Sequence, residues 1–152
     1  MKFKLILFLT TAMLAYNALW AQVDQNEEVK MAVRQLFEGM KKGDSAAVSR
    51  VFAEKVVFQT VVGKNDGTVS VSNGDVQAFL KAIGTPHTDV WDERIEFSSV
   101  LIDGNLASVW TPYKFYLGEK LLHCGVNSFQ LVKLSGAWKI VYLIDTRRKD
   151  CM

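Results

Sequence analysis

Between Glu93 and Arg148 apolar and polar residues alternate in four consecutive runs, separated by the pairs Asp103-Gly104, Gly118-Glu119 and Ser135-Gly136. Small or polar pairs of this kind close tight hairpins, so the pattern predicts a four-stranded antiparallel meander. With two-residue loops at each turn, one face reads Phe97, Trp110, Asn127 and Ile144, then Ser99, Ser108, Phe129 and Tyr142, then Leu101, Leu106, Leu131 and Ile140. The other reads Glu96, Thr111, Val126 and Asp145, then Ser98, Val109, Ser128 and Leu143, then Val100, Ala107, Gln130 and Val141. The first set is apolar and aromatic with one amide, which makes it the expected core face. A slip of one residue in any hairpin would exchange the faces of that strand. Pro112 cannot donate to a ladder and implies a bulge.

Upstream the period lengthens. Val29, Ala32, Val33, Leu36, Phe37 and Met40 recur three and four apart, the stripe of an amphipathic helix. Asp24 with Glu27 resembles a capping box at its start, and Lys41, Lys42 and Gly43 suit its end. Asp44 or Ser45 can cap a second, shorter helix carrying Val48, Val51 and Phe52. The β-branched run 56–62 predicts a strand, turned at 63–67, with a short return strand at 68–71. Ser72-Asn73-Gly74-Asp75 opens a third helix with Val76, Phe79, Leu80 and Ile83 inward, and Gly84-Thr85-Pro86 ends it. The plan is α+β: three helices packed on one face of a mostly antiparallel sheet of about six strands.

Residues 1–21 change the compartment expected for the chain. Lys2 and Lys4 precede an apolar run that ends on Ala21 before the polar Gln22, the layout of a cleaved signal peptide. A membrane anchor is the alternative, and Asn17 and the lack of a basic flank after Ala21 count against it. The expectation is a secreted or periplasmic domain over 22–152, off the membrane after cleavage. Loss of Lys2 and Lys4 takes 18 basic residues to 16, against 16 acidic ones. A neutral chain lacks the basic footprint of a nucleic-acid binder.

The helix pair ending in Lys42-Gly43-Asp44, the Gly118 hairpin and Gly136-Ala137-Trp138-Lys139-Ile140-Val141 resemble the nuclear-transport-factor-2-like superfamily, the cone-shaped fold shared with ketosteroid isomerases and polyketide cyclases. Pro86-His87, Val90-Trp91-Asp92-Glu93-Arg94-Ile95, His123-Cys124-Gly125-Val126-Asn127 and Asp145-Thr146-Arg147-Arg148 are similar to small secreted bacterial proteins labelled putative lumazine-binding. The resemblance implies a sheet curled into a cone, a pocket for a small apolar or aromatic ligand, and a homodimer through the outer sheet face. It does not fix a function, since that fold hosts enzymes, binding proteins and assembly domains.

The pocket wall is then the first face. Asn127 sits there level with Trp110, and a buried amide needs partners, which either a ligand or a backbone group or water can supply. His123, one step nearer the open end and level with Glu93, is a candidate base or ligand contact, or a polar residue at a rim. His87 and Trp91 fall at the mouth, where an aromatic stacks on a ligand or seals the core. Trp138 and Tyr142 read as core, Tyr142 with a hydroxyl in need of a partner. Arg94, Glu96, Asp145 and Arg147 fall on the second face with Val100, Val109, Val126, Val141 and Leu143, a salt-bridged surface or a dimer interface.

Cys124 and Cys151 can form one disulfide if the tail folds back; alternatively Cys124 is a nucleophile beside His123, although adjacent strand residues point to opposite faces. Zinc spacings and phosphate-cradling glycine loops are missing, so no metal or cofactor is expected. Three function classes follow: a secreted small-ligand-binding protein, a dimerisation or interaction domain, and an isomerase- or dehydratase-like enzyme acting on an apolar cyclic substrate. In the last, His123 is the base and Asn127 or Tyr142 the donor to the developing oxyanion.

Overall fold

A computed structural model describes residues 25–64 and 66–151. The expected signal peptide and the capping residue Asp24 lie outside the described residues. Helix α1, described over 25–42, buries the expected stripe, with Val29 and Val33 fully enclosed. Gly43 ends it in the left-handed region (φ 68°). Asp44 caps α2 (Ser45–Val51) by accepting from the Ala47 amide at 2.8 Å. The chain extends at once into β1 (Phe52–Gly63), so Phe52 opens a strand and does not close the helix. β2 (Val69–Asn73) returns along β1, and Asp75 caps α3 (Val76–Gly84).

The expected meander begins as two strands, β3 (Trp91–Ile95) and β4 (Ser99–Asp103), both antiparallel to β5 (Leu106–Leu117). The interruption at 96–98 lies opposite Pro112, whose carbonyl accepts from Glu96 but which has no N–H to return. β6 (Lys120–Leu134) and β7 (Ala137–Thr146) complete a seven-stranded sheet of order β2-β1-β7-β6-β5-β3, with β4 beside β5. All pairs are antiparallel except β1 with β7. The curved sheet packs the helices on its concave side, where the Phe37 and Phe129 rings meet edge to face at 6.1 Å.

The hairpins form, but the faces differ from the expected register. Turning at Gly104-Asn105 shifts β4 along β5 by two residues, which leaves the faces unchanged. Two bulges then each invert a strand. One, between Phe115 and Tyr116 in the β5–β6 pairing, sets Thr111 opposite Asn127. The other, between Gln130 and Leu131 in the β6–β7 pairing, sets Asp145 opposite Asn127. A looped-out residue reverses the facing of all that follows. The concave face therefore carries Ala107, Val109 and Thr111 of β5, Asn127, Phe129 and Leu131 of β6, and Ile140, Leu143 and Asp145 of β7, all buried. Val109 and Leu143, expected on an interface, are core. Trp110 and Leu101, expected in the core, are 48% and 67% exposed on the convex face.

Candidate functional site

From the closed end, the concave face is apolar for two rows: Ala107, Leu131, Ile140 and Phe52, then Val109, Phe129, Leu143 and Phe58. The next row is wholly polar. Thr111, Asn127, Asp145 and Thr60 stand level on four adjacent strands, β5, β6, β7 and β1. Toward the open end follow Ile95, Tyr113 and Gly125, and then Glu93, Phe115 and His123.

Hydrogen bonds knit these rows together. Asn127 Nδ2 donates to Glu93 Oε1 at 2.8 Å. Asp145 accepts from Thr60 Oγ1 at 2.5 Å through one oxygen and from Arg147 Nε at 2.8 Å through the other. The Tyr113 hydroxyl lies 2.9 Å from the Thr146 carbonyl, 3.2 Å from His123 Nδ1 and 3.5 Å from Asp145 Oδ2. One member stands apart: the Thr111 hydroxyl is fully buried and has no partner among the described residues, a costly arrangement for a polar group.

Charge is strongly perturbed here. Glu93 keeps some accessible surface, yet burial of its carboxyl within the cone pushes its pKa up to about 7; the nearby Asp145 charge adds to the rise, while the Asn127 bond and Arg147 oppose it. Burial, reinforced by the charge of Glu93, pushes Tyr113 well above its usual range and keeps it a neutral hydrogen-bonding group. Burial, with Arg147 nearby, lowers His123 and keeps its imidazole neutral at physiological pH.

A local departure from the sheet builds this cluster. The pairing of β6 with β7 stops at Asn127 and Asp145 and resumes only as the bridge between Cys124 and Arg148. In the gap, Val126 N–H donates to the Thr146 side-chain hydroxyl at 3.1 Å. The Thr146 carbonyl lies over Gly125, at a place a β-carbon would occupy, and takes the Tyr113 hydroxyl. Cys124 and Cys151 are bridged, with Cα atoms 5.7 Å apart, and the tail folds back as the pairing requires.

The candidates separate accordingly. Asn127 and His123 lie on the polar wall. Trp91 is on the same face at its outermost level, half-buried and stacked on the exposed His87 at 4.8 Å. Trp110 and Tyr142 are on the convex side, where Tyr142 donates to Gln59 Oε1 at 2.7 Å; the two bulges remove both from the wall. Trp138 is buried as expected and donates to Glu28 Oε2 at 3.2 Å. Asp145 moves inward for the same reason, and Thr60, Thr111, Tyr113 and Thr146 are wall residues that alternation did not select. One signal pointed to Thr111 and Tyr113: Pro112 and Lys114 share their parity with Trp110, and neither belongs inside.

Several hollows open among the described residues. One of about 820 Å³ between α2, the start of β1 and α3 holds none of the polar row, and one of about 400 Å³ lies beside the disulfide, lined by Tyr113 and Gly125 together with Arg94, Lys114 and Arg148. Among the described residues no group of three or more His, Cys, Asp or Glu could hold a metal ion.

Similarity to known structures follows the cone. An NTF2-like protein of unknown function from Shewanella baltica is 19% identical, with a TM-score of 0.66 over 84% of this chain and 97% of that one. An NTF2-like protein with a cystatin-like fold from Novosphingobium aromaticivorans is 13% identical, with a TM-score of 0.69 over 90% of each chain. A ketosteroid isomerase-like protein from Erwinia carotovora is 14% identical, with a TM-score of 0.60 over 81% of this chain and 95% of that one. Identities this low speak to fold alone, and no curated protein matches the chain. One protein family matches residues 24–143, from the first helix into the last strand. The chain thus belongs to the putative lumazine-binding family, built on the nuclear-transport-factor-2-like fold.

Proposed function

We propose that this protein binds a small molecule against the polar wall of the cone, and that it does so outside the cytoplasm. The observation that carries the reading is the row Thr111, Asn127, Asp145 and Thr60 set above an apolar floor, with the Thr111 hydroxyl buried and without a partner among the described residues. An apolar cleft with a few convergent polar groups is the usual form of a ligand site. Family membership and fold support the same reading. Export rests on the N-terminal sequence, and the single disulfide suits an oxidising compartment.

Native mass spectrometry of the protein exported by an expression host tests it. The expected result is the added mass of a small molecule that leaves on denaturation and is lost in Asn127→Leu. A bare protein that also takes up nothing from a small-molecule extract overturns it.

Two further readings have observations of their own. Leu101, Leu106, Trp110 and Val57 are exposed on the convex side, which supports a homodimer through that face. The raised pKa of Glu93, level with a neutral His123 two strands away, supports proton transfer of the isomerase or dehydratase kind on an apolar cyclic substrate. Turnover of such a substrate, abolished in Glu93→Gln with folding intact, is the result expected of the enzyme reading.

A further inference from the structure

Tyr113 and Phe115, both on β5, hold His123. Its Nδ1 lies 3.2 Å from the Tyr113 hydroxyl, and its ring stacks on Phe115 at 4.9 Å and meets the Tyr113 ring edge-on at 5.6 Å. A neutral imidazole carries one proton, on either nitrogen, and the partner of one nitrogen decides the state of the other.

The tyrosine has a single proton to give. Its nearest partner is the Thr146 carbonyl at 2.9 Å, which can only accept. Asp145 Oδ2 is farther, at 3.5 Å, and already receives Arg147 Nε. The Thr146 carbonyl is free for the tyrosine because the Val126 N–H is met by the Thr146 hydroxyl and because Gly125 leaves the space it enters. With its proton given to Thr146, the Tyr113 oxygen is an acceptor toward the histidine. The proton of His123 therefore belongs on Nδ1, and Nε2, the other ring nitrogen of this half-buried side chain, carries a lone pair with no hydrogen-bond partner among the described residues.

We infer that Gly125, Thr146 and Tyr113 act as positioning residues that fix His123 as the Nδ1-protonated imidazole, and that Nε2 accepts a hydrogen bond from a ligand's O–H or N–H group. The ligand class is a small molecule that presents such a donor. The inference rests on the reading of the cone as a binding site. The lowered pKa of His123 agrees with it, since a neutral ring is needed near pH 7.

The ring nitrogens can be read directly. The chain has two histidines, His87 and His123, so long-range proton–nitrogen NMR spectra of untagged, histidine-labelled protein at pH 8, with His87→Ala for assignment, give the tautomer. Protonated Nδ1 and bare Nε2 at His123 are expected, moving toward the Nε2-protonated form in Tyr113→Phe. A wild-type spectrum with the proton on Nε2 overturns the positioning chain, and that result does not depend on the variant folding. For the ligand class, phenol and its methyl ether anisole are titrated against the same resonance. Phenol should shift Nε2 and bind about tenfold more tightly than anisole, the effect of one hydrogen bond. Equal responses overturn the donor preference. A cone that admits neither ring removes the binding reading, a failure the tautomer spectrum is blind to.

Discussion

Asn127 on β6 donates to Glu93 on β3 across 2.8 Å, reaching over the intervening strand β5. The bond favours an ionised Glu93, yet burial outweighs it and the carboxyl titrates near 7. A carboxyl whose folded pKa lies above its unfolded value contributes stability that is full below the unfolded pKa of 4.5 and is lost as pH rises through about 7. Between pH 5 and pH 8 the wild type should lose up to about 3 kcal/mol. Glu93→Gln, which keeps an acceptor for Asn127, should lose much less. Urea denaturation at the two pH values measures both, and parallel curves for the two proteins would disprove the assignment.

Thr111→Val tests the orphan hydroxyl. Removing a buried group that makes no hydrogen bond should stabilise the ligand-free protein by on the order of 1 kcal/mol. The same change should weaken any ligand that uses the hydroxyl. A variant clearly less stable than wild type would show that the hydroxyl is already satisfied.

Gly125→Ala should cost about 2 to 4 kcal/mol. The new methyl would fall on the Thr146 carbonyl and the Tyr113 ring, and the nearer of these is backbone that cannot rotate aside. The midpoint of thermal unfolding gives the loss, and a methyl group tolerated without change would contradict the close approach of β7 to β6.

Cys151→Ser removes a bridge that closes a sequence separation of 27. Loop entropy alone sets its contribution at about 3 to 4 kcal/mol. Guanidinium denaturation of wild type with and without reductant should reproduce the gap, and reductant should leave the variant unchanged.

Trp110→Asp places a charge at the centre of the exposed convex patch. The expected outcome is a monomer in place of a dimer, seen by sedimentation at equal concentration, with the circular dichroism of the folded chain retained. A wild type that is already monomeric ends the interface reading. Leu143→Asp cannot serve for this purpose, since Leu143 is in the core.

Much of the architecture was legible because it depends on local rules. The α1 stripe, the caps at Asp44 and Asp75, the Gly43 stop and the hairpins come from periodicity and turn chemistry, and each is in the structure. The site was legible only in part. Asn127 and His123 were found because β6 carries them on the expected parity. Thr111 and Asp145 were hidden by bulges near Phe115 and Gln130, each a matter of one looped-out residue, whose one trace in the pattern is Pro112 and Lys114 on the parity of Trp110. The gap at Gly125 and Thr146 was further out of reach, because it depends on where a carbonyl turns once three strands have met.

The place of β7 between β1 and β6 also sets a timetable. Thr60 and Asp145, joined by a hydrogen bond, are 85 residues apart in the chain. The β1–β2 hairpin and the helices can form early, but β1 has no inner neighbour until the last strand arrives. Closure of so long a loop slows the final step. The polar wall, which spans that seam, is complete only when nearly the whole polypeptide is available, so a shortened chain that keeps most of the helices and strands still has no site.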